Sequence, residues 1–161
     1  MNLSPTVVAR DVVRALRRAT LRIQRRGGQQ KFGKEFIVGP RPRLAPGLTI
    51  EVGNRVNIGA DTTINTNLRV GDDVMISSSV AFIGNDHDFS DPALSIQDQA
   101  RRPVSSVVVE GDNLIGFGTI ILGNVTIGRG AIVGAGSLVL RDIPADSVCV
   151  GRPAVPIGRR R

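Results

Sequence analysis

Apolar residues recur every six positions along most of the chain. One ladder of apolar residues begins at Val52 and ends at Phe82, and a second begins at Val109 and ends at Val139. An α-helix repeats its apolar positions at about 3.6 residues, and a strand with one buried face at about 2. A period of six fits neither and indicates stacked repeat units. The ladder residues are Val52, Ile58, Ile64, Val70, Ile76 and Phe82, then Val109, Ile115, Ile121, Ile127, Val133 and Val139.

Small residues keep the same period. Glycine or another small residue follows several ladder positions directly, which suits a sharp corner. Six residues make one short strand and one turn, and three such units close a triangular coil whose ladder side chains point inward. The pattern therefore predicts an all-β fold, a parallel β-helix of at least four coils. A second set of small or β-branched residues lies four positions after the ladder: Thr62, Val74, Val80, Thr119, Val125, Ala131 and Ser137.

The period is interrupted once, at about residues 83–107. This segment contains the only histidine of the chain, His87, and it is rich in acidic residues and arginines. Because loops on rigid scaffolds are where functional residues concentrate, we interpret it as a protruding catalytic loop.

The first residues follow a helical period instead. Ser4 and Pro5 suit a helix start and Gly27–Gly28 a helix end, so we predict a basic amphipathic helix before Gly27. Its apolar stripe could pack on the protein or on a neighbouring subunit, and residues 5–26 could instead form a peripheral membrane contact. The predicted organisation is a basic helix and linker over 1–45, a β-helix domain over 46–157 and a basic tail over 158–161.

Composition narrows the function classes. The chain has 161 residues, a net charge of +7 and one cysteine, which cannot form an intramolecular disulfide. We see no secretory leader and no apolar run of roughly 20 residues, so we expect a cytoplasmic protein. The positive charge would suit nucleic acid, but the sequence has few aromatic residues, no helix-turn-helix pattern and no zinc ligands. We therefore expect no nucleic acid partner.

Two stretches resemble a known family. VGDDVMISSSVAFIGNDHD is similar to the repeats that lead into the catalytic-histidine loop of hexapeptide-repeat acyltransferases. The segment from Ala100 to Ala154, which ends in GRPA, resembles the coils that follow that loop. The resemblance is to the sugar O-acetyltransferase branch, which includes maltose, galactoside, nodulation-factor and exopolysaccharide acetyltransferases. It covers roughly residues 46–157.

This resemblance implies a left-handed coil, a homotrimer with active sites between subunits, and transfer of an acetyl group from acetyl-CoA to a saccharide hydroxyl. His87 matches the family's general base, and an imidazole suits that task near neutral pH. Asp88 or Asp86 would orient the ring. Backbone N–H groups would hold the tetrahedral oxyanion. Acceptor-binding candidates are Asn65, Asn85 and Asp86.

The family's CoA groove runs beside the later coils, where side chains are small. Arginines suit the CoA phosphates because a guanidinium donates paired hydrogen bonds. We expect no resident metal. The matching CoA candidates here are Gly116, Thr119, Gly134, Ala135, Ser137, Arg152 and Arg159, although the small ones among them also suit corners and the interior.

Three other functions are alternatives to sugar O-acetylation. An N-acetyltransferase acting on an amino sugar would use the same base. A non-catalytic trimeric scaffold would bind no CoA. A γ-class carbonic anhydrase shares the fold but needs three histidines on one zinc. One histidine per chain excludes it within a homotrimer, since those ligands come from different positions on two chains.

Overall fold

The computed structural model describes residues 28–84 and 86–160. The predicted N-terminal helix over 5–26, the acceptor candidate Asn85 and the last residue of the chain lie outside the described residues. Among the residues described, no helix is long and apolar enough to cross a membrane. One short 3₁₀ helix, Ile96–Asp98, lies in the loop that the sequence analysis identified.

Three sheets form the walls of a parallel β-helix, as the six-residue period predicts. Successive strands step from sheet A to sheet B to sheet C, and each pairs in parallel with the strand one coil away. Sheet A contains β1 (Gln30–Phe32), β4 (Ile50–Val52), β7 (Asn67–Val70), β10 (Ser106–Val109) and β13 (Val125–Ile127). Sheet B contains β2 (Ile37–Val38), β5 (Asn57–Ile58), β8 (Met75–Ile76), β11 (Leu114–Ile115), β14 (Ile132–Val133), β16 (Ser147–Gly151) and β17 (Ala154–Arg159). Sheet C contains β3 (Arg43–Leu44), β6 (Thr63–Asn65), β9 (Ala81–Ile83), β12 (Ile120–Leu122) and β15 (Leu138–Val139).

The three sheets enclose a triangular prism, and the core is the column of ladder residues inside it. All twelve predicted ladder residues are buried, and Phe82, Val109 and Ile121 have no measurable exposure. Ladder residues stack in register, so that Val70 pairs with Val109 in sheet A and Phe82 with Ile121 in sheet C. The second predicted set, from Thr62 to Ser137, is buried as well and lines the interior at the corners.

Glycine follows six of the twelve ladder residues, all in sheets A and B, where neighbouring coils approach closely. A Cβ added at Gly59 would lie 2.3 Å from the backbone nitrogen of Ser78, and one at Gly116 would lie 2.5 Å from that of Ala135. The constraint is therefore the next coil's backbone rather than an unusual φ at these glycines. The left-handed φ values fall two residues later, as at Asp61 and Gly118.

The β-helix begins earlier than residue 46. Phe32, Val38 and Leu44 already form one coil, and β1 pairs with β4. Eight positions separate Leu44 from Val52, two more than the repeat, so the first coil is out of phase with the ladder that follows. Because of this shift the six-residue pattern does not reveal the first coil, and the sequence analysis assigned its residues to the linker within 1–45.

The structure also differs from the predicted basic tail over 158–161, because residues up to Arg159 belong to a strand. β17 turns back after Gly151 and pairs antiparallel with β16, and Arg159 belongs to this strand. Arg160 donates to the Asp112 carboxylate at 2.7 Å. The C-terminal residues up to Arg160 are thus attached to the β-helix.

Candidate functional site

The protruding loop leaves the prism at the corner between sheets C and A. Its two stems are tied together, because the Ser105 N–H donates to the Gly84 carbonyl at 2.9 Å. The Ser105 carbonyl in turn accepts from the Thr66 hydroxyl and, at 2.9 Å, from the Asn67 N–H. A Cβ at Gly84 would lie 2.6 Å from the Ser105 Cβ. The loop therefore starts from a narrow, fixed base on the coil.

Above this base the two arms of the loop pair antiparallel. His87 and Arg101 form a β-bridge. The Asp88 N–H donates to the Ala100 carbonyl at 2.8 Å, and the Arg102 N–H donates to the Asp86 carbonyl at 3.0 Å. These bonds hold the backbone of His87 from both sides. The histidine is thus presented by a short ladder rather than by an irregular loop.

The His87 ring has one described hydrogen-bond partner. Its Nδ1 lies 3.1 Å from the backbone carbonyl oxygen of Gln99. Because a carbonyl oxygen can only accept, Nδ1 carries the proton in this arrangement, and Nε2 of the neutral ring keeps its lone pair. The side chain is half-buried. The ring is therefore oriented so that Nε2 can accept a proton from a bound molecule.

Asp88 does not orient the ring. Its carboxylate accepts from the N–H groups of Phe89 at 2.7 Å and Ser90 at 3.1 Å, and Arg102 reaches it at 3.3 Å. Hydrogen bonds hold the pKa of Asp88 below its usual range. The largest effect comes from the Phe89 N–H, followed by Ser90 and then the Arg102 guanidinium. The guanidinium of Arg102 also lies 4.2 Å above the Phe89 ring. Asp88 thus secures the turn that follows the histidine.

Gln99 takes the orienting role that the sequence analysis gave to Asp88 or Asp86. The side chain of Asp86 is exposed, and only its backbone carbonyl has a described partner in the loop. Sequence reasoning missed Gln99 because the bond uses its main-chain oxygen, which every residue possesses. The structure reveals Gln99 because it is a buried polar residue in a segment whose other residues are exposed.

Asn65 lies at the same corner as the loop. It ends β6 and pairs with Ile83, the last residue of β9 before the loop begins. The side chain is half-buried. Two of the predicted site residues, Asn65 and His87, are therefore brought to one edge of the prism.

The candidates for CoA binding gather at a different edge, the corner between sheets B and C. Gly116 and Thr119 lie between β11 and β12, and Gly134, Ala135 and Ser137 lie one coil further on. A shallow depression of about 370 Å³ lies nearby, lined among others by Met75, Ser78 and Phe117.

These five residues do not all face outward. Thr119 and Ser137 are completely buried, and both hydroxyls donate to the Gly134 carbonyl, at 3.2 and 2.7 Å. Their side chains are closed to a ligand, so the prediction that they bind CoA is limited to their backbone. Ala135 is exposed and Gly116 is partly so.

Within one chain the two groups of candidates stay apart. The loop with His87 stands at the C–A corner and the small residues stand at the B–C corner, so sheet C separates them. Arg152 and Arg159 are exposed near the turn and end of β17, at the edge of sheet B. One chain alone does not assemble the complete set of predicted site residues.

Removal of the Asp88 carboxylate tests its part in the loop. In Asp88→Ala we expect faster amide hydrogen exchange at Phe89 and Ser90 at neutral pH, because both N–H groups lose their acceptor. The pKa of Asp88 is lowered by folding, so its contribution is present above the usual aspartate range and disappears as the pH falls through the lowered pKa. The difference from wild type should shrink accordingly in acid.

Asp98→Ala is the matched control, since that carboxylate accepts from the Ser95 hydroxyl in the same loop and touches neither amide. Equal exchange rates in wild type and Asp88→Ala would contradict this account of the turn.

Residues 106–141 match the family model described as bacterial transferase hexapeptide (six repeats). A serine acetyltransferase from Buchnera aphidicola is 34% identical over 78% of this chain and 40% of its own length. A galactoside O-acetyltransferase from Lactococcus lactis is 36% identical over 64% of this chain and 52% of its own length. The chain therefore spans about half the length of these curated relatives, or less.

Solved structures agree with the fold. A hexapeptide-repeat acetyltransferase from Vibrio cholerae, in complex with acetyl-CoA, superposes with a TM-score of 0.75 at 27% identity, over 91% of this chain and 78% of that one. AntD, an N-acyltransferase from Bacillus cereus, superposes with a TM-score of 0.66 at 22% identity, over 89% of each chain. The matched repeat, the acetyltransferase relatives and the shared β-helix together show that this chain has the hexapeptide-repeat fold of these acetyltransferases.

Proposed function

We propose that this protein transfers an acetyl group from acetyl-CoA to a hydroxyl group of a saccharide, with His87 as the general base. The observation that carries the proposal is the His87–Gln99 hydrogen bond, which leaves Nε2 as the free lone pair of a half-buried ring. The ring stands on an ordered loop of a β-helix whose structural relative from Vibrio cholerae is complexed with acetyl-CoA.

The proposed reaction proceeds by direct transfer. Nε2 of His87 accepts the proton of the acceptor hydroxyl as its oxygen attacks the thioester carbonyl carbon. The tetrahedral intermediate collapses, the carbon–sulfur bond breaks, and the proton passes from the imidazolium to the departing CoA sulfur. The products are the O-acetyl ester and CoA as free thiol. The single cysteine, Cys149, is buried in the prism, so it is not the nucleophile in this proposal.

We place acetyl-CoA along the B–C corner, where Gly116, Gly134 and Ala135 keep the surface low. The backbone can approach a ligand closely where no large side chain projects. Arg152 and Arg159 are exposed and basic, and we propose them as partners for the CoA phosphates.

We further propose that the active site forms between the subunits of a homotrimer. This would bring the C–A corner of one chain to the B–C corner of the next. The outer face of sheet B supports it, because Met75 and Leu114 are in register there and are 58% and 40% exposed. Sheet A instead presents an outward row of Lys31, Glu51 and Arg69. An exposed apolar face of this kind is typical of a protein interface.

The acceptor could also be an amine, and the alternative is N-acetylation of an amino sugar. The named acceptors of the relatives differ: the Lactococcus relative is a galactoside O-acetyltransferase, whereas AntD is an N-acyltransferase. A free Nε2 can assist either acceptor. We favour the hydroxyl because the sequence resembles the sugar O-acetyltransferase branch around the histidine loop. We propose that the reaction occurs in the cytoplasm, with residues 5–26 as a peripheral membrane contact where the saccharide is lipid-linked.

The His87→Ala variant separates binding from chemistry. We expect calorimetry to show the same affinity for acetyl-CoA in His87→Ala and in wild type, because the ring is assigned to the acceptor side. In an acceptor panel of glycosides and amino sugars, release of CoA thiol should fall by about 10²–10⁴-fold. If neither protein binds acetyl-CoA, the transferase proposal fails and the non-catalytic scaffold becomes the better reading.

A substitution at Ala135 tests the proposed CoA path. Ala135→Glu places a bulky carboxylate on the B–C corner and should weaken acetyl-CoA binding more than tenfold, or about 1.4 kcal/mol. Ala145→Glu is the matched control, because Ala145 has the same relation to Gly128 that Ala135 has to Gly116, on a different corner. Equal loss in both variants would argue against the B–C corner.

The subunit arrangement is tested by analytical ultracentrifugation. Leu114→Glu should dissociate the trimer and abolish acetyl-CoA binding, since an unpaired carboxylate in an apolar interface costs several kcal/mol. Val108→Glu changes the outward face of sheet A, one strand earlier, and should leave the trimer intact. A monomeric wild type that still binds acetyl-CoA would exclude a site between subunits.

A further inference from the structure

Gln99 is a buried residue in an otherwise exposed stretch of the protruding loop. Residues 89–98 are all exposed, whereas Gln99 is only 8% exposed. A buried amide must have its donors and acceptor satisfied, or its burial destabilises the fold. Gln99 therefore needs partners inside the loop.

The loop supplies those partners from its own backbone. The Asp91 N–H donates to Oε1 of Gln99 at 3.1 Å. Nε2 of Gln99 donates to the Asp91 carbonyl at 3.0 Å and to the Leu94 carbonyl at 3.3 Å. The amide thus exchanges two hydrogen bonds with one residue, as paired residues do in a sheet. It closes the excursion from Asp91 to Gln99 into a compact turn.

The same residue touches His87 through its main chain. The Gln99 carbonyl oxygen is the described acceptor for Nδ1 of the ring. Its neighbour Ala100 accepts from the Asp88 N–H, which keeps this peptide beside the histidine. The side chain of Gln99 therefore fixes one end of a segment whose backbone oxygen holds the ring.

We propose that Gln99 is a positioning residue for His87. The side-chain amide of Gln99 holds the loop in place, so that the main-chain carbonyl of Gln99 keeps the imidazole protonated at Nδ1. The inference rests on the proposed function for its catalytic meaning, but its structural content is independent of it. A ring released from the carbonyl is free to carry its proton on either nitrogen. Only the form with Nδ1–H can accept a proton at Nε2.

The chain offers a direct readout, because His87 is its only histidine. Long-range ¹H–¹⁵N correlation spectra of ¹⁵N-labelled protein report which ring nitrogen is protonated, and no other imidazole contributes. At a pH where the ring is neutral, we expect wild type to show a predominant Nδ1–H form. The measurement needs neither acceptor nor acetyl-CoA.

Three variants test the role of the amide. Gln99→Leu removes all three side-chain hydrogen bonds at similar volume, and Gln99→Glu keeps the shape but, when ionised, has no donor for the two carbonyls. Both should lose the predominance of Nδ1–H and show signals of mixed protonation. Ser95→Ala is the matched control: it removes the hydrogen bond to Asp98 within the same excursion and should keep the wild-type pattern.

Circular dichroism shows whether each variant keeps its fold, and Gln99→Glu serves if Gln99→Leu does not fold. In the transferase assay we expect a drop in kcat of about 10–100-fold with the KM for acetyl-CoA unchanged, a smaller loss than that of His87→Ala. A purely structural role would lower thermal stability and leave the ring signals unchanged.

The spectra decide the inference separately from the proposed function. If a folded Gln99→Leu or Gln99→Glu keeps the predominant Nδ1–H form, the positioning role is wrong, whether or not wild type has transferase activity. If the ring signals change as expected in a protein without transferase activity, the positioning of His87 stands and the proposed function fails.

Discussion

Vertical hydrogen bonding between coils is the constraint on which the rest of the structure depends. At the edge after sheet B the Gly59 N–H donates to the Ile76 carbonyl, the Gly116 N–H to Val133 and the Gly134 N–H to Cys149. At Gly59 and Gly116 these bonds bring two backbones so close that a Cβ would collide with the backbone of the next coil, and at Gly134 a Cβ would lie 2.6 Å from the Val150 side chain. The spacing between coils therefore selects glycine at the corner and an inward aliphatic side chain just before it. A regular sequence period follows from this geometry.

The sequence predicts most of the fold because every coil repeats that selection. The ladder from Val52 to Phe82 and its continuation from Val109 were readable since every member must place an apolar side chain inside the coil, and six of the twelve are followed by glycine. The coil that contains Phe32 and Leu44 was missed because two extra residues before Val52 shift its phase. Such an insertion leaves the stacking intact, since β1 and β4 still pair in register, but it breaks the sequence period. The strand β17 was missed because an antiparallel return has no six-residue signature.

The candidate site was predictable in location but not in detail. A lone histidine in the long break between the two ladders pointed to His87, and the structure places it on a loop with paired arms. The group that faces the His87 ring is the main-chain carbonyl of Gln99. It could not be predicted, because sequence patterns report side chains only. Likewise Thr119 and Ser137 looked like small groove residues, yet both hydroxyls are turned inward onto the Gly134 carbonyl. At corners the direction of a short side chain is set by the local backbone path, which the period does not specify.

The antiparallel return of β17 has a consequence for how far such a column can extend. A parallel coil exposes at its end a row of unpaired N–H and C=O groups, which another chain could extend by adding its own first coil. Head-to-tail addition of that kind does not close on itself and leads to filaments. Along the edge of sheet B, β17 runs in the opposite direction and contains Pro156, which has no N–H to donate. β17 thus occupies the edge of sheet B along which a second molecule would otherwise add a parallel strand.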